Sequence, residues 1–421
     1  MRAAPPAGGV FSPLDEELGL LPGTLSPSLV ESAVRLGTWL PFEPAAQMLA
    51  HFTRTDISKP TVRRLTEEAG AAYVAVQAAQ VEALEQTLPE APAGPPRLQV
   101  SVDGAMVPLV GGEWAEVKTL ALGAVAAPEL NQKRGEREVH TQELSYFSRL
   151  ADHETFARLA TVETHRRGVE SAGVVCGVVD GADWCQQFLD LHRPDAVRIL
   201  DFPHALQHLA GAAQATFGPG TAETSTWLGE QAHTLKHGDS EQVLAALRGL
   251  PVQQATDPGA AAQVRDQTLS YLEKRREQIR YADFQAQGYP IGSGCVESAN
   301  KLVVEARLKG AGMHWAREHV NPLVALRTIA CSDRWEESWP LIGAELRART
   351  RPGLAAQPPV LATPPPRAQS PSRQPLVEPL RRLPPSPTPI IVNGRPTAEH
   401  PWKKRPLLAG GRAAAASHAK S

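Results

Sequence analysis

The sequence predicts an α/β protein in which a mixed sheet carries helices on its faces. Three observations lead there. Leu98-Gln-Val-Ser-Val-Asp103 alternates apolar and polar residues as a half-buried strand does. Gly173-Val-Val-Cys-Gly-Val-Val-Asp180 is a continuous apolar run, the pattern of a strand covered on both faces. The predicted order is strand, strand, strand, helix, strand, helix, strand and then helices, which suits a mixed rather than a purely antiparallel sheet.

Taken in order, residues 1–25 are rich in Pro, Gly and Leu without a period and read as an irregular lead-in. Residues 26–96 read as a helical region and linker. Ser26-Pro27-Ser28 opens one helix, Pro44 to Ala50 continues the pattern, and Ser58 caps another, with Pro60 in its first turn and the helical pattern running on through Val74 to Leu88 before the linker Pro89–Pro96. Two short helices with a tight connection resemble a helix-turn-helix. This reading makes Lys59, Thr61, Arg63 and Arg64 candidate DNA contacts, and plain helical packing is the alternative.

In the range 97–204 the strand ending at Asp103 is followed by strand candidates Glu116–Ala126 and His140–Leu150, separated by a charged loop, Asn131–Glu138. A helix from Asp152 or His153 precedes the apolar run to Asp180, and a helix over Ala182–Leu191 precedes the strand candidate Ala196-Val-Arg-Ile-Leu-Asp201. Residues 205–288 carry only helical patterning. Residues 289–347 begin at the turn Tyr289-Pro-Ile-Gly-Ser-Gly-Cys-Val-Glu297, where a helix starts with Val296, Ala299, Val303 and Ala306 as its expected apolar stripe. Residues 348–421 are expected to be a disordered basic tail, because Arg351 to the end holds 16 prolines in 71 residues.

Charge is balanced overall, 43 Lys and Arg against 45 Asp and Glu, but unevenly placed. From Arg351 onward there are 11 basic and 2 acidic residues, which leaves the preceding part acidic by 11 charges. Cys176, Cys185, Cys295 and Cys331 have no C-x-x-C spacing, so neither a disulfide framework nor a zinc ribbon is expected, and reduced cytoplasm suits them. No apolar stretch is long enough to span a membrane, and none is an expected partner.

Three acidic residues carry the functional expectation. Asp103 and Asp180 each follow an apolar run, and Glu297 lies in the first turn of a late helix, where the macrodipole favours a carboxylate. Brought together, three carboxylates repel one another unless a cation lies between them. Hard divalent ions, Mg²⁺ or Mn²⁺, suit such an oxygen set, and two of them can activate a nucleophile and stabilise a leaving oxygen in phosphodiester chemistry. Singly, each acid is an ordinary turn or helix-start residue, with Lys301 the i+4 partner of Glu297. Asp201, His204 and His208 form a second, weaker candidate trio. Trp315, His314 and Lys309 offer a stacking platform for an unpaired base, with a core tryptophan as the alternative. Lys274, Arg275, Arg276 and Arg280 offer a phosphate path or simply a solvated face.

Val102-Asp103-Gly104, Val179-Asp180-Gly181, Leu200-Asp-Phe-Pro-His204, Pro290 to Lys301 and Arg307-Leu-Lys-Gly-Ala-Gly-Met-His-Trp315 occur in this order. Together they closely resemble the DDE-type transposases of bacterial insertion sequences, specifically the ISKra group. The likeness runs over about residues 10 to 345 and returns in Arg395 to Trp402. The resemblance implies a ribonuclease H-like core interrupted by an all-α insertion. It also implies Asp103, Asp180 and Glu297 as catalytic metal ligands for Mg²⁺ or Mn²⁺, with Asp201 and His204 near the site. Arg307, Lys309 and Trp315 become DNA-contact candidates. The implied partners are the terminal inverted repeats and target DNA, bound as a homo-oligomer in the bacterial cytoplasm at the nucleoid. A metal-dependent nuclease without strand transfer and an inactive DNA-binding derivative are the alternatives. Family members usually carry a cysteine-bearing segment ahead of the stretch that Phe11 to Leu20 resembles, so the resemblance leaves a truncated or mis-started reading frame open as an alternative.

Overall fold

A computed structural model describes residues 25–132 and 135–350, together with the backbone of 391–392 and 395–396. The expected lead-in and nearly all of the proline-rich tail lie outside the described residues. The chain divides into a unit over 1–363 and a second over 364–421; in the latter Ile391–Val392 pairs antiparallel with Arg395–Pro396.

The first unit is α/β. Its principal sheet has five strands: β1 (Arg97–Pro108), β2 (Trp114–Val125), β5 (Thr141–Arg149), β6 (Val174–Val179) and β7 (Val197–Leu200), in the order β5-β2-β1-β6-β7. The first three form an antiparallel meander, whereas β6 and β7 run parallel to β1 and to each other. The stretch expected to be a charged loop, Asn131–Glu138, contributes its two ends to a small ladder in which β3 (Glu129–Asn131) pairs with β4 (Glu136–Glu138). Backbone pairing there needs no apolar alternation, so charge gave no sign of it.

β6 is buried on both sides. Val175 and Val179 join the core beneath α4 (His153–Arg166) and α5 (Asp183–His192). Cys176 and Val178 join the opposite core, made with the helices α6 (Phe202–Phe217), α7 (Ala222–His237), α8 (Ser240–Arg248), α9 (Pro258–Lys274) and α10 (Tyr281–Ala286). Burial pushes the Cys176 thiol up to about 12, so it packs as a neutral small hydrophobe.

The N-terminal helices are α1 (Pro27–Trp39), α2 (Phe42–Thr53) and α3 (Lys59–Thr87). Ser58 caps α3 by accepting from the Thr61 N–H, and Pro60 occupies its first turn. α2 and α3 are the two expected helices, and α3 runs for 29 residues without a break, in keeping with the pattern that extends to Leu88. Val62, Leu65, Ala69, Ala72 and Tyr73 bury against Ala325, Leu326 and Ile329 of α13 (Arg317–Cys331) and Ile342 of α14 (Trp335–Thr350). Gly70 lets the two backbones meet, since a Cβ there would run into the Pro322 carbonyl. The N-terminal helices therefore share one core with the last helices of the unit.

The late helix begins as α11 (Gly294–Ala299), widens into a π-turn over Asn300–Glu305 and ends as α12 (Ala306–Leu308). The insertion changes its phase. Val296, Ala299 and Val303 are buried as expected, but Ala306 is exposed, and Val304, Arg307 and Leu308 are buried in its place. A π-turn adds one residue to the i→i+4 repeat and rotates everything after it. Among the described residues no helix is long and apolar enough to cross a membrane.

Candidate active site

Asp103 does not end its strand; β1 continues to Pro108 and Asp103 pairs with Thr119 of β2. Its side chain shares a face with Gln99 and Ser101, the face covered by α11 and the π-turn. Asp180 follows β6 directly. Every β1–β6 pair has a register offset of 77 residues, as in Arg97↔Val174, 174 − 97 = 77. Asp103 and Asp180 keep that offset, 180 − 103 = 77, and so stand level just past the last paired residues, Val100 and Gly177.

Both aspartates are half-buried. The Asp103 Oδ1 accepts from the Gly104 N–H at 2.7 Å, and its Oδ2 from the Asn300 Nδ2 at 2.8 Å. Burial raises its carboxyl above the ordinary 3.8, and the negative charges of Asp180 and Glu297 add to that rise, while the two hydrogen bonds oppose it. Asp103 thus lies in the field of both other carboxylates. Among the described residues, no group of three or more His, Cys, Asp and Glu side chains is drawn together closely enough to hold a metal.

Asp180 is braced from two directions. Its Oδ1 accepts from the Ala182 N–H at 2.9 Å and the Cys185 thiol at 3.3 Å. From the helical insertion, the Tyr271 hydroxyl donates to the Asp180 carbonyl at 2.5 Å, and the Arg275 Nη2 donates to the Gly181 carbonyl at 2.6 Å. Arg275 lies 3.8 Å from the Tyr271 ring centroid, and His208 stacks on the other side of that region with ring centroids 3.9 Å apart. Gly181 has φ +84°, and a Cβ there would lie 2.5 Å from the Arg275 Nε and 2.6 Å from the Tyr271 hydroxyl, so the turn requires glycine.

Glu297 is exposed at the start of α11. Lys301 is exposed too, and among the described residues no ion pair joins them. The loop before the helix is pinned at both ends. The buried Gln99 donates from Nε2 to the Gly292 carbonyl at 3.1 Å, and the Phe202 N–H donates to the Ile291 carbonyl at 2.9 Å. The third clasp is Asp201, only 3% exposed: its Oδ1 accepts from the Ser293 N–H at 2.7 Å and its Oδ2 from the His204 N–H at 2.9 Å. Both of its oxygens serve backbone donors. His204 and His208 face each other at 5.0 Å between ring centroids, within the aromatic stack on Tyr271. Asp201, His204 and His208 are therefore brought near one another, but as cap, clasp and stack.

The candidate DNA contacts fare differently from one another. Arg307 is 2% exposed, donates to the Gly37 carbonyl at 3.1 Å and lies over Phe42 and Trp315. It fastens the late helix to α1 and presents nothing to a groove; the phase change in the π-turn turned it inward. Trp315 is buried as well, its indole donating to the Leu308 carbonyl at 3.0 Å, so its faces are taken. Lys309 is exposed and paired with Glu305 at 2.7 Å. Arg63 and Arg64 lie on the surface of α3, paired with Glu67 and Glu68 at 2.8 Å each, beside exposed Lys59 and half-buried Thr61. In the late basic run, Lys274, Arg276 and Arg280 are paired with Asp183, Glu241 and Asp283, and Arg275 is the brace described above.

Sequence reasoning passed over Asn300, Tyr271, Cys185 and Gln99. Asn300 carried the one available signal, a polar residue three positions after Glu297 in a stretch that had to be helical. No protein-family model matches the chain, and no curated protein does.

Proposed function

We propose that the chain is a DNA transposase of the DDE type, built on a ribonuclease H-like core that the α6–α10 helices interrupt, and that it cleaves and joins insertion-sequence ends. The observation that carries this reading is the level placement of Asp103 and Asp180 on adjacent parallel strands, with the Glu297 helix packed on the same face of β1. The motif resemblance adds the reaction class to a geometry that supports phosphodiester chemistry on oxygen ligands.

The donor types suit a hard divalent ion, and closing on one would draw the carboxylates nearer together than they stand here. Asp103 feels the charges of Asp180 and Glu297, and the buried Oδ1 of Asn300, whose amide binds Asp103, has no hydrogen-bond partner. When bound at Asp103, Asp180 and Glu297, Mg²⁺ or Mn²⁺ would supply activation of a water or 3′-hydroxyl and charge stabilisation of the departing oxygen. The protein's own contribution is positional. Gly104 and Asn300 orient Asp103, Tyr271 and Arg275 hold the Asp180 turn, and Asp201 with Gln99 holds the loop that aims Glu297.

A pre-cleaved insertion-sequence end incubated with target DNA tests the reading. Joined product is expected, and Asp103→Asn, Asp180→Asn and Glu297→Gln are each expected to abolish joining and cleavage while sparing fold and DNA binding. Hydrolysis without joining would move the chain to the nucleases, and binding alone would make it an inactive derivative.

A further inference from the structure

Asn300 follows Glu297 by three residues and begins the π-turn. It is 6% exposed, although asparagine is a poor helix former that gains nothing from burial as such. Its Nδ2 donates to the Asp103 Oδ2 at 2.8 Å, which fixes the amide's orientation, because the flipped amide would set two acceptors against each other. The other end of the same amide is then an oxygen. That Oδ1 is buried and has no hydrogen-bond partner. Buried acceptors without partners are costly. Five buried side-chain atoms among the described residues lack one, Gln278 Oε1 included, and Asn300 Oδ1 differs from the rest in that its own amide binds a carboxylate of the candidate site. The backbone repeats the message: π-turns within α-helices are costly and concentrate at functional sites.

Resting on the reading above, we infer that Asn300 is a fourth member of the cation site, with its Nδ2 holding the Asp103 carboxylate and its Oδ1 serving a divalent ion or one of that ion's water molecules. Carbonyl oxygens are ordinary donors to hard cations, and a neutral one adds a donor without adding to the repulsion among three carboxylates. The π-turn has a matching purpose. It lets Asn300 face β1 while Val303 and Val304 keep the following turn in the core.

The experiment is a Mn²⁺ titration of the full chain, reading free Mn²⁺ by electron paramagnetic resonance, with thermal unfolding recorded with and without the ion. The wild type, Asp103→Asn, Asn300→Ala and Asn300→Asp are compared. Asn300→Ala is expected to weaken Mn²⁺ binding by roughly tenfold or more, the usual scale for a lost supporting partner. Asn300→Asp keeps an oxygen at the same place, so it is expected to retain binding, to be less stable than wild type without the ion, and to gain more than wild type when Mn²⁺ is added. Unchanged Mn²⁺ affinity in Asn300→Ala, with Asp103→Asn dead to the ion, overturns this inference and leaves the acidic triad intact. Loss of binding in Asn300→Asp equal to that in Asn300→Ala also overturns it, since the oxygen would then be irrelevant. If the wild type binds no Mn²⁺, or Asp103→Asn binds it equally well, the cation site and the inference fall together. Should Asn300→Ala not fold, the isosteric Asn300→Asp pair of measurements decides alone.

Discussion

Asp201 is where the geometry makes its most discriminating demand, because it follows a buried strand just as Asp180 does. Replacing Asp201 by Asn preserves shape and leaves one oxygen, but puts an NH₂ group against either the Ser293 or the His204 N–H. One carboxylate hydrogen bond is lost, and two donors face each other at a site that is 3% exposed. Hydrogen bonds to charged groups contribute about 1.5–3 kcal/mol, and an unsatisfied buried donor costs about 1–3 kcal/mol, with the two overlapping here. A loss of roughly 2–4 kcal/mol follows, within the 5–15 kcal/mol or so of a native domain, so the variant folds. Urea unfolding at neutral pH measures it directly. Because both Asp201 oxygens are taken up by backbone donors around the loop before Glu297, joining activity should fall yet persist, and Mn²⁺ affinity should weaken without vanishing. An Asp201→Asn protein as stable as wild type would refute the clasp. One of normal stability that neither binds Mn²⁺ nor joins DNA would move the second ligand from Asp180 to Asp201.

Glu163 is 2% exposed, and although burial alone would raise its carboxyl, Arg334 and Arg166 beside it hold the value down at about 2. A depressed folded-state value stabilises above the ordinary 4.5 and is lost as pH falls from there toward 2; urea unfolding from pH 5 to 2.5 should show Glu163→Gln with a visibly shallower decline than wild type, and parallel curves would refute the pairing. Arg275→Met removes the donors to the Gly181 carbonyl and should weaken Mn²⁺ binding by roughly tenfold through a loosened Asp180 turn; full affinity in that variant would show the turn to be self-supporting. Arg307→Met should leave the salt dependence of DNA binding unchanged, because the guanidinium is buried against Gly37, Phe42 and Trp315. A slope reduced by about one would return Arg307 to the phosphate contacts.

How much of this was legible beforehand depended on whether the signal was local. Apolar alternation around Val100 and the unbroken run before Asp180 mark strands by themselves, and Ser58 with Pro60 marks a helix start, so those elements stood out in sequence. The helical pattern of α3 is legible in the sequence as far as Leu88, but its partnership with α13 and α14, far along the chain, is announced by no local residue. Arg307 and Trp315 entered as DNA-contact candidates through the motif resemblance, with a core tryptophan as the alternative at Trp315, and both are buried. For Arg307 the π-turn sets the direction, and it has no composition signal: Asn300-Lys-Leu-Val-Val-Glu305 is ordinary helical sequence.

The distinction between Asp180 and Asp201 shows the same limit from the other side. The interval of 77 residues is present in the sequence, but it means nothing until a parallel ladder between β1 and β6 has that same offset. Strand adjacency is a property of the whole sheet, since parallel neighbours are joined by a distant crossover and not by a turn whose residues can be read. Once β6 lies beside β1 and β7 beyond it, Asp180 stands level with Asp103 while Asp201 stands one strand farther out. From there its carboxylate reaches the loop before Glu297 and is used up on two backbone N–H groups. Two similar acids at the ends of neighbouring strands thus receive different tasks. One keeps an oxygen free of backbone donors and lends its charge to the field at Asp103; the other is taken up by two backbone N–H groups, one of them in the loop before Glu297.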